Sequence, residues 1–230
     1  MAVINDPNTA ANITAVGNKA YSPLHALSGP FPIGSGGAYR IGMKSGTIGA
    51  SAGADVEFVQ FRYVTAASRV CLIHGVNVSA SVIVTPAVGT TPVNMQLCLR
   101  IARAWTAAGT GGTRMTMTTN QQKLRTSHAT SEVNDIGMAT TGALTAGTKT
   151  LDLQDIGIVT AGQYFDLAAS SLQNTLIPPT NLFGEFSGGL GFPIVLANQE
   201  GIVVRNGLAL PATMTWQLAC NILWSEVDTF

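Results

Sequence analysis

Charge is what this chain has least of. Twelve Lys+Arg and twelve Asp+Glu cancel to zero and together make 10% of 230 residues, against about 25% in an average soluble domain. Phosphate recognition needs clustered Lys and Arg, so no nucleic-acid partner is expected. Disorder is excluded from the other side, because 46% of the residues are hydrophobic and disordered chains have low hydrophobicity or high net charge. Long apolar runs are missing too: Gly, Asn, Thr or a charge interrupts every window short of the ~18 to 20 residues of a membrane span, and no membrane partner is expected. The opening Met1-Ala-Val-Ile-Asn-Asp-Pro has neither a basic n-region nor an apolar h-region. The chain is therefore expected not to be exported, which makes the sequons at Asn12 and Asn77 chance matches. The three cysteines, Cys71, Cys98 and Cys220, are odd in number and show no C-x-x-C spacing. Each sits in a strand-like apolar run, so buried free thiols are expected rather than a disulfide pair. Helix signals are equally scarce. Gly162 to Leu176 and Met115 to Ser131 sustain no amphipathic stripe and leave room for one short helix at most.

What is there is strand chemistry. Asp55 to Val64 is rich in Val, Phe and Tyr, with Glu57, Gln60 and Arg62 interrupting it as on a partly exposed strand. Arg69 to Thr85 puts Val70, Leu72, His74, Val76 and Val78 on one parity and Cys71, Ile73, Asn77 and Ser79 on the other, with a bend expected near Gly75. Val93 to Ile101 alternates cleanly, Val93, Met95, Leu97, Leu99 and Ile101 inward against Asn94, Gln96, Cys98 and Arg100. The run Thr213 to Val227 sets Met214, Trp216, Leu218, Cys220, Ile222 and Trp224 on one face. Between them, Thr106 to Thr150 carries little apolar mass and predicts loops and edge strands, with short candidates at Arg114 to Thr119 and Asp135 to Thr140. Asn198-Gln-Glu-Gly, flanked by two β-rich runs, predicts a hairpin turn. About eight or more strands, a core strand at the end and no internal repeat predict an all-β fold: an antiparallel β-sandwich of jelly-roll type over residues 38–230. Residues 1–37 hold Pro7, Pro23, Pro30 and Pro32 and no hydrophobic period, which predicts an extended N-terminal arm. That arm keeps Tyr21, Leu24, Leu27, Phe31 and Ile33, which a solvated linker would not need; these are the candidate subunit-interaction residues.

No catalytic, cofactor or metal site is expected. Gly49-Ala-Ser-Ala-Gly53 fits the nucleophile-elbow string, but that motif needs a helix after the serine, and here a strand follows, so Ser51 belongs to a small-residue loop. His25, His74 and His128 have no local metal-pair spacing; His74 is expected as a hydrogen-bonded core histidine and His128 in a polar loop. Asp152, Asp155, Asp166 and Glu200 do not follow a calcium-loop register. Arg100, Arg103, Arg114, Lys123 and Arg125 form the densest basic stretch, scattered over two strand faces and suited to rim contacts. The glycine clusters at 34–37, 109–112 and 188–191 complete no phosphate-binding string and are turns.

Five segments carry a resemblance: Tyr39-Arg-Ile-Gly-Met-Lys-Ser-Gly-Thr-Ile, Glu57-Phe-Val-Gln-Phe-Arg-Tyr, Lys123-Leu-Arg-Thr-Ser, Leu196-Ala-Asn-Gln-Glu-Gly-Ile-Val-Val-Arg and the closing strand ending Trp224-Ser-Glu-Val. Over most of residues 38–230 the chain resembles structural proteins of tailed-bacteriophage virions. The resemblance implies a non-enzymatic particle component, assembled in the bacterial host cytoplasm and residing in the virion. Its partners would be further copies of itself, a trimer among the candidates, and other virion proteins such as the major capsid protein. A weakly charged, apolar-rich chain suits such a subunit, because near-zero net charge promotes association. Capsid decoration or cementing is the leading expectation and a tail or fibre protein the second. A carbohydrate-binding sandwich stacking sugars on Trp105, Tyr164 or Phe186 is third, and an esterase built on Ser51 a distant fourth.

Overall fold

The computed structural model describes residues 2–6, 11–16, 19–21, 37–49, 52–65, 69–84, 93–115, 117, 122–133, 135–163, 175–184, 192–210 and 214–227. The chain divides into two compact units, residues 1–33 and 34–230. In the first, β1 (Ala2–Asp6), β2 (Ala11–Val16) and β3 (Lys19–Tyr21) form a three-stranded antiparallel sheet, with Ile4 opposite Ile13 and Ala15 opposite Ala20. The hydrophobic pattern does not foretell these strands, because each is too short to establish a period.

The second unit is all-β, and among its described residues no helix occurs. Its strands are β4 (Gly37–Lys44), β5 (Glu57–Tyr63), β6 (Val70–Val84), β7 (Val93–Ala107), β8 (Gly112–Met115), β9 (Asp135–Ala139), β10 (Thr148–Leu151), β11 (Gly157–Gln163), β12 (Thr175–Gly184), β13 (Ile194–Leu196), β14 (Glu200–Asn206) and β15 (Thr215–Val227). One sheet runs β12-β6-β15-β4, with β13 beside the start of β6; the other runs β10-β7-β14-β5-β9-β8, with β11 continuing β10's edge of β7. All pairings are antiparallel. Successive strands β4, β5, β6 and β7 alternate between the sheets, and β11, β12, β14 and β15 do the same. The resulting orders β4-β15-β6-β12 and β5-β14-β7-β11 are the two interlocked Greek keys of a jelly roll. The hairpin β8–β9 extends the second sheet beyond β5.

The core between the sheets follows strand parity. From β15, Trp216, Leu218, Cys220, Ile222 and Trp224, with Met214 just ahead of it, are fully buried, as are Met95, Leu97 and Leu99 of β7. The aromatic side chains interlock. Trp216 meets Phe58 edge-on at 4.8 Å, Trp224 meets Phe61 edge-on at 5.3 Å, and Tyr39 stacks on Trp224 at 5.5 Å. Such pairs add about 0.5 to 1.5 kcal/mol beyond their area burial.

Three expectations need correction. The strict alternation expected over residues 70–79 breaks at the bend near Gly75, where the pairing with β15 jumps from Leu223↔Gly75 to Trp224↔Ile73. This bulge puts Cys71 and Ile73 on the core side together with Val76 and Val78, splitting the expected parity. The turn at Asn198 to Gly201 is not a hairpin, because β13 pairs with β6 in one sheet and β14 with β5 and β7 in the other. It carries the chain across the sandwich, pinned by Thr65 N–H to Asn198 Oδ1 at 3.1 Å and Gln199 N–H to the Tyr63 carbonyl at 2.9 Å. Glu57 and Gln60, expected on a partly exposed strand, are 4% and 0% exposed. Neighbouring loops cover the outer face of β5.

Candidate functional site

The outer face of the β5-containing sheet holds an internally neutralised layer of charge. Arg100 of β7 places Nε 2.8 Å from Asp155, and Arg205 of β14 grips the same carboxylate at 2.9 Å while also reaching Asp55. Arg103 spans Asp152 at 3.3 Å and Glu200 at 2.6 Å. Arg114 meets Asp135 at 2.9 Å, and Arg62 reaches it at 3.4 Å. The members of the expected basic stretch that lie on strands therefore face carboxylates of this same chain, and Asp152, Asp155 and Glu200 are their partners. Asp166 lies outside the described residues.

Beside this layer lies a buried polar cluster. A register shift between Val204 and Arg205 opposite β5 inserts one extra residue, so Glu57 and Gln60, three apart, face the same side. Gln60 Nε2 donates to Glu57 Oε2 at 2.6 Å and to the Thr145 carbonyl at 2.8 Å; Gln60 Oε1 accepts from Gly109 N–H at 3.2 Å and from Arg114 at 3.1 Å. Lys149 donates to the same Glu57 Oε2 at 2.8 Å and to the Ala146 carbonyl, with its Nζ 4.4 Å from the centre of the Trp105 ring. Burial pushes the Lys149 ammonium below its usual range, and the Glu57 hydrogen bond offsets part of that. Glycine is required at 109, because a Cβ there would collide with the Thr145 carbonyl and the Gln60 amide. Trp105, which the carbohydrate-binding alternative would need exposed, is fully buried against Ala102 and Val203, with its Nε1–H bonded to the Ala107 carbonyl at 3.0 Å. The φ of 47° at Ala104 breaks the alternation of β7 and turns Trp105 onto the outer face, where Leu151 and Lys149 cover it. Tyr164 and Phe186 lie outside the described residues.

The sequence does not flag this cluster, since nothing local links Glu57, Gln60 and Lys149. It also passes over Glu226, which is fully buried and accepts from Ser131 Oγ at 2.5 Å and Glu132 N–H at 3.0 Å. Burial raises the Glu226 carboxyl above its usual range, against these hydrogen bonds.

The remaining expected residues are dispersed. His74 Nε2 sits 2.7 Å from Ser225 Oγ in a buried pair, and His128 Nδ1 accepts from Ala38 N–H at 3.1 Å. Ser51, His25, Leu24, Leu27, Phe31 and Ile33 lie outside the described residues, and Tyr21 closes β3. Among the described residues no group of three or more His, Cys, Asp or Glu is placed to hold a metal ion, and no helix is long and apolar enough to cross a membrane. A cavity of about 300 Å³ on the opposite sheet, lined by Ser79, Ser81, Ile177, Pro179, Gln217 and Lys44 among others, presents one cation and no carboxylate.

The three cysteines are free and buried. Burial pushes the Cys98 thiol up to about 11, with Asp155 adding to the shift, and Cys220 up to about 12; burial, then Glu226, raises Cys71. At pH 8 only about one Cys98 thiol in a thousand would be ionised. The native protein is therefore expected to resist a thiol-disulfide reagent at pH 8, and all three sites should react in denaturant. Rapid labelling of any of them in the native state would contradict their burial.

Among the described residues, Ile83, Leu124, Phe192 and Leu208 are exposed at scattered positions, and three further apolar side chains lie close together in the chain. The outward parity of edge strand β11 and the turn before it present Ile156 and Ile158, with Leu153 nearby in the chain; Leu153 is 89% and Ile158 57% exposed. No family model, curated protein or solved structure matches this chain.

Proposed function

We propose that the chain is a non-enzymatic structural component of a bacteriophage virion, a homo-oligomeric protein that decorates or cements the capsid. The observation that supports this most is the distribution of charge and apolar surface. Ten of the scarce charged side chains named above are spent on one another across the outer face of a sheet, while edge strand β11 and the turn before it carry exposed Ile158 and Ile156. A free-standing sandwich blunts its edges with charge, and exposed apolar rows mark contact surfaces. Weak contacts of this kind become strong when symmetry repeats them around a shell. The jelly roll is compatible with capsid and with lectin roles alike, so fold alone does not choose between them. In this reading residues 1–37, with Tyr21, Leu24, Leu27, Phe31 and Ile33, tie each subunit to its neighbours.

The test is binding to purified DNA-filled heads that lack tails. The full chain is expected to co-sediment with them in large, symmetric copy number. A chain lacking residues 1–33 should keep its melting temperature and lose the association. Absence from tailless heads but presence on complete particles would move the protein to the tail or fibre. Sugar-dependent retention of the soluble protein with no particle association would replace the assembly reading altogether.

A further inference from the structure

The cluster of Lys149, Glu57 and Gln60 has the parts of an acyl-transfer site that acts on its own chain. A nucleophile, a proton carrier, an electrophile and an oxyanion pocket meet in one dry place. Lys149 and Gln60 Nε2 both donate to the single oxygen Glu57 Oε2, at 2.8 and 2.6 Å. The amine and the amide nitrogen therefore lie no farther apart than those two hydrogen bonds laid end to end. The orientation of the Gln60 amide is set by four partners: two acceptors, Glu57 Oε2 and the Thr145 carbonyl, hold its nitrogen, and two donors, Gly109 N–H and Arg114, hold its oxygen. Two donors on a carbonyl oxygen, one of them cationic, are what a tetrahedral oxyanion needs. Trp105 roofs the lysine, and the side chains of Lys149 and Glu57 are 2% and 4% exposed, so hydrolysis by bulk water does not compete.

We propose that this site forms an intramolecular isopeptide bond between Lys149 Nζ and Gln60 Cδ, with Glu57 carrying the proton. Glu57 takes a proton from Lys149, and the free amine attacks Gln60 Cδ. Negative charge gathers on Oε1 against Gly109 N–H and Arg114. The bond from Cδ to Nε2 then breaks as Glu57 delivers that proton to the departing nitrogen, which leaves as ammonia. The Glu57 carboxylate so freed takes the remaining extra proton from the new amide nitrogen and passes it to the ammonia, which departs as ammonium. An amine and a primary amide give a secondary amide and ammonia, with no oxidant or further reactant. Burial keeps Lys149 more easily deprotonated than an exposed lysine, in the direction the attack requires. The reaction is a single turnover that joins β5 to β10 and covalently closes the segment between them. It does not depend on the virion reading.

Intact mass spectrometry of the purified full-length protein tests it. The expected result is a mass lower than that of the sequence by one ammonia, with the peptides containing Gln60 and Lys149 recovered as one branched species. Lys149→Arg, which keeps the charge but removes the nucleophile, should have full mass. Glu57→Gln should form the bond ~100-fold more slowly or worse, the scale of losing a general acid–base. Circular dichroism would establish that both variants fold, and the wild-type peptide map needs no variant at all. Full mass in the wild type after prolonged incubation of the folded protein would overturn the proposal. So would ammonia loss that persists in Lys149→Arg, or loss of water with a bond between Lys149 and Glu57.

Discussion

Truncating Trp216 to alanine is expected to cost about 3 to 5 kcal/mol, the range for removing a fully buried large aromatic and leaving a cavity. Trp216 sits on β15, the strand between β6 and β4, and its ring meets Phe58 of the opposite sheet edge-on. Its loss removes contacts to both layers at once, and neither sheet can collapse inward without breaking its own ladder. In a domain of this size the loss corresponds to roughly 10 °C in melting temperature. Trp216→Phe should cost much less, because the indole Nε1 has no hydrogen-bond partner and only part of the ring volume is removed. Trp224, whose Nε1–H reaches Ser131 Oγ at 3.3 Å, should tolerate the same change less well. Denaturant titration with both indoles in place and with each changed separates the two. Equal costs for Trp216→Phe and Trp216→Ala would mean that the packing seen around this ring is not what stabilises it.

The second large effect is expected at Asp155. This carboxylate accepts from Arg100 at 2.8 Å and from Arg205 at 2.9 Å. Arg205 is 6% exposed and burial already pushes its guanidinium down, so stripping away its main anion leaves a charge that water cannot reach. Asp155→Ala is expected to cost about 3 kcal/mol or more, chiefly from the uncompensated cations. Asp152, three residues earlier, pairs with Arg103 where both side chains are more than a third exposed. Asp152→Ala should therefore cost less than about 1 kcal/mol, and that small effect should vanish in high salt. Unfolding curves at low and high salt compare them directly. A similar cost at the two positions would refute burial as the deciding variable.

The same comparison marks how far the sequence carries. Asp152 and Asp155 look alike in the chain, as members of one carboxylate group without a ligand register. Their difference arises because Arg205, fifty residues later, is brought onto the face that Asp155 covers. His74 was legible as a hydrogen-bonded histidine, and it is one, but its partner Ser225 lies 151 residues away. The bulge that re-aims the strand around it follows from the register with β15. Trp105 faces outward because Ala104 shifts the parity of β7 just before it, and it is buried there because Lys149 and Leu151 of β10 lie over it.

Two properties were determined by the sequence alone. The period-two alternation of β7 and β15 names the core residues, because a strand with apolar side chains on one parity is stable only with that parity buried. The shortage of helix signals and the number of such strands then leave a sandwich as the economical way to bury them. Tertiary structure alone decided what the other parity does. Whether an outward-facing Glu57, Gln60 or Arg205 meets water or a partner depends on which distant loop lies over it. Here the loops at 109 and 145–147 and the start of β10 close over β5, and the loops at 55 and 155 over β14. Local pattern carries no information about such covering, because it is an encounter between segments far apart in the chain. The meeting of Lys149 and Gly109 with Glu57 and Gln60 is one of these encounters.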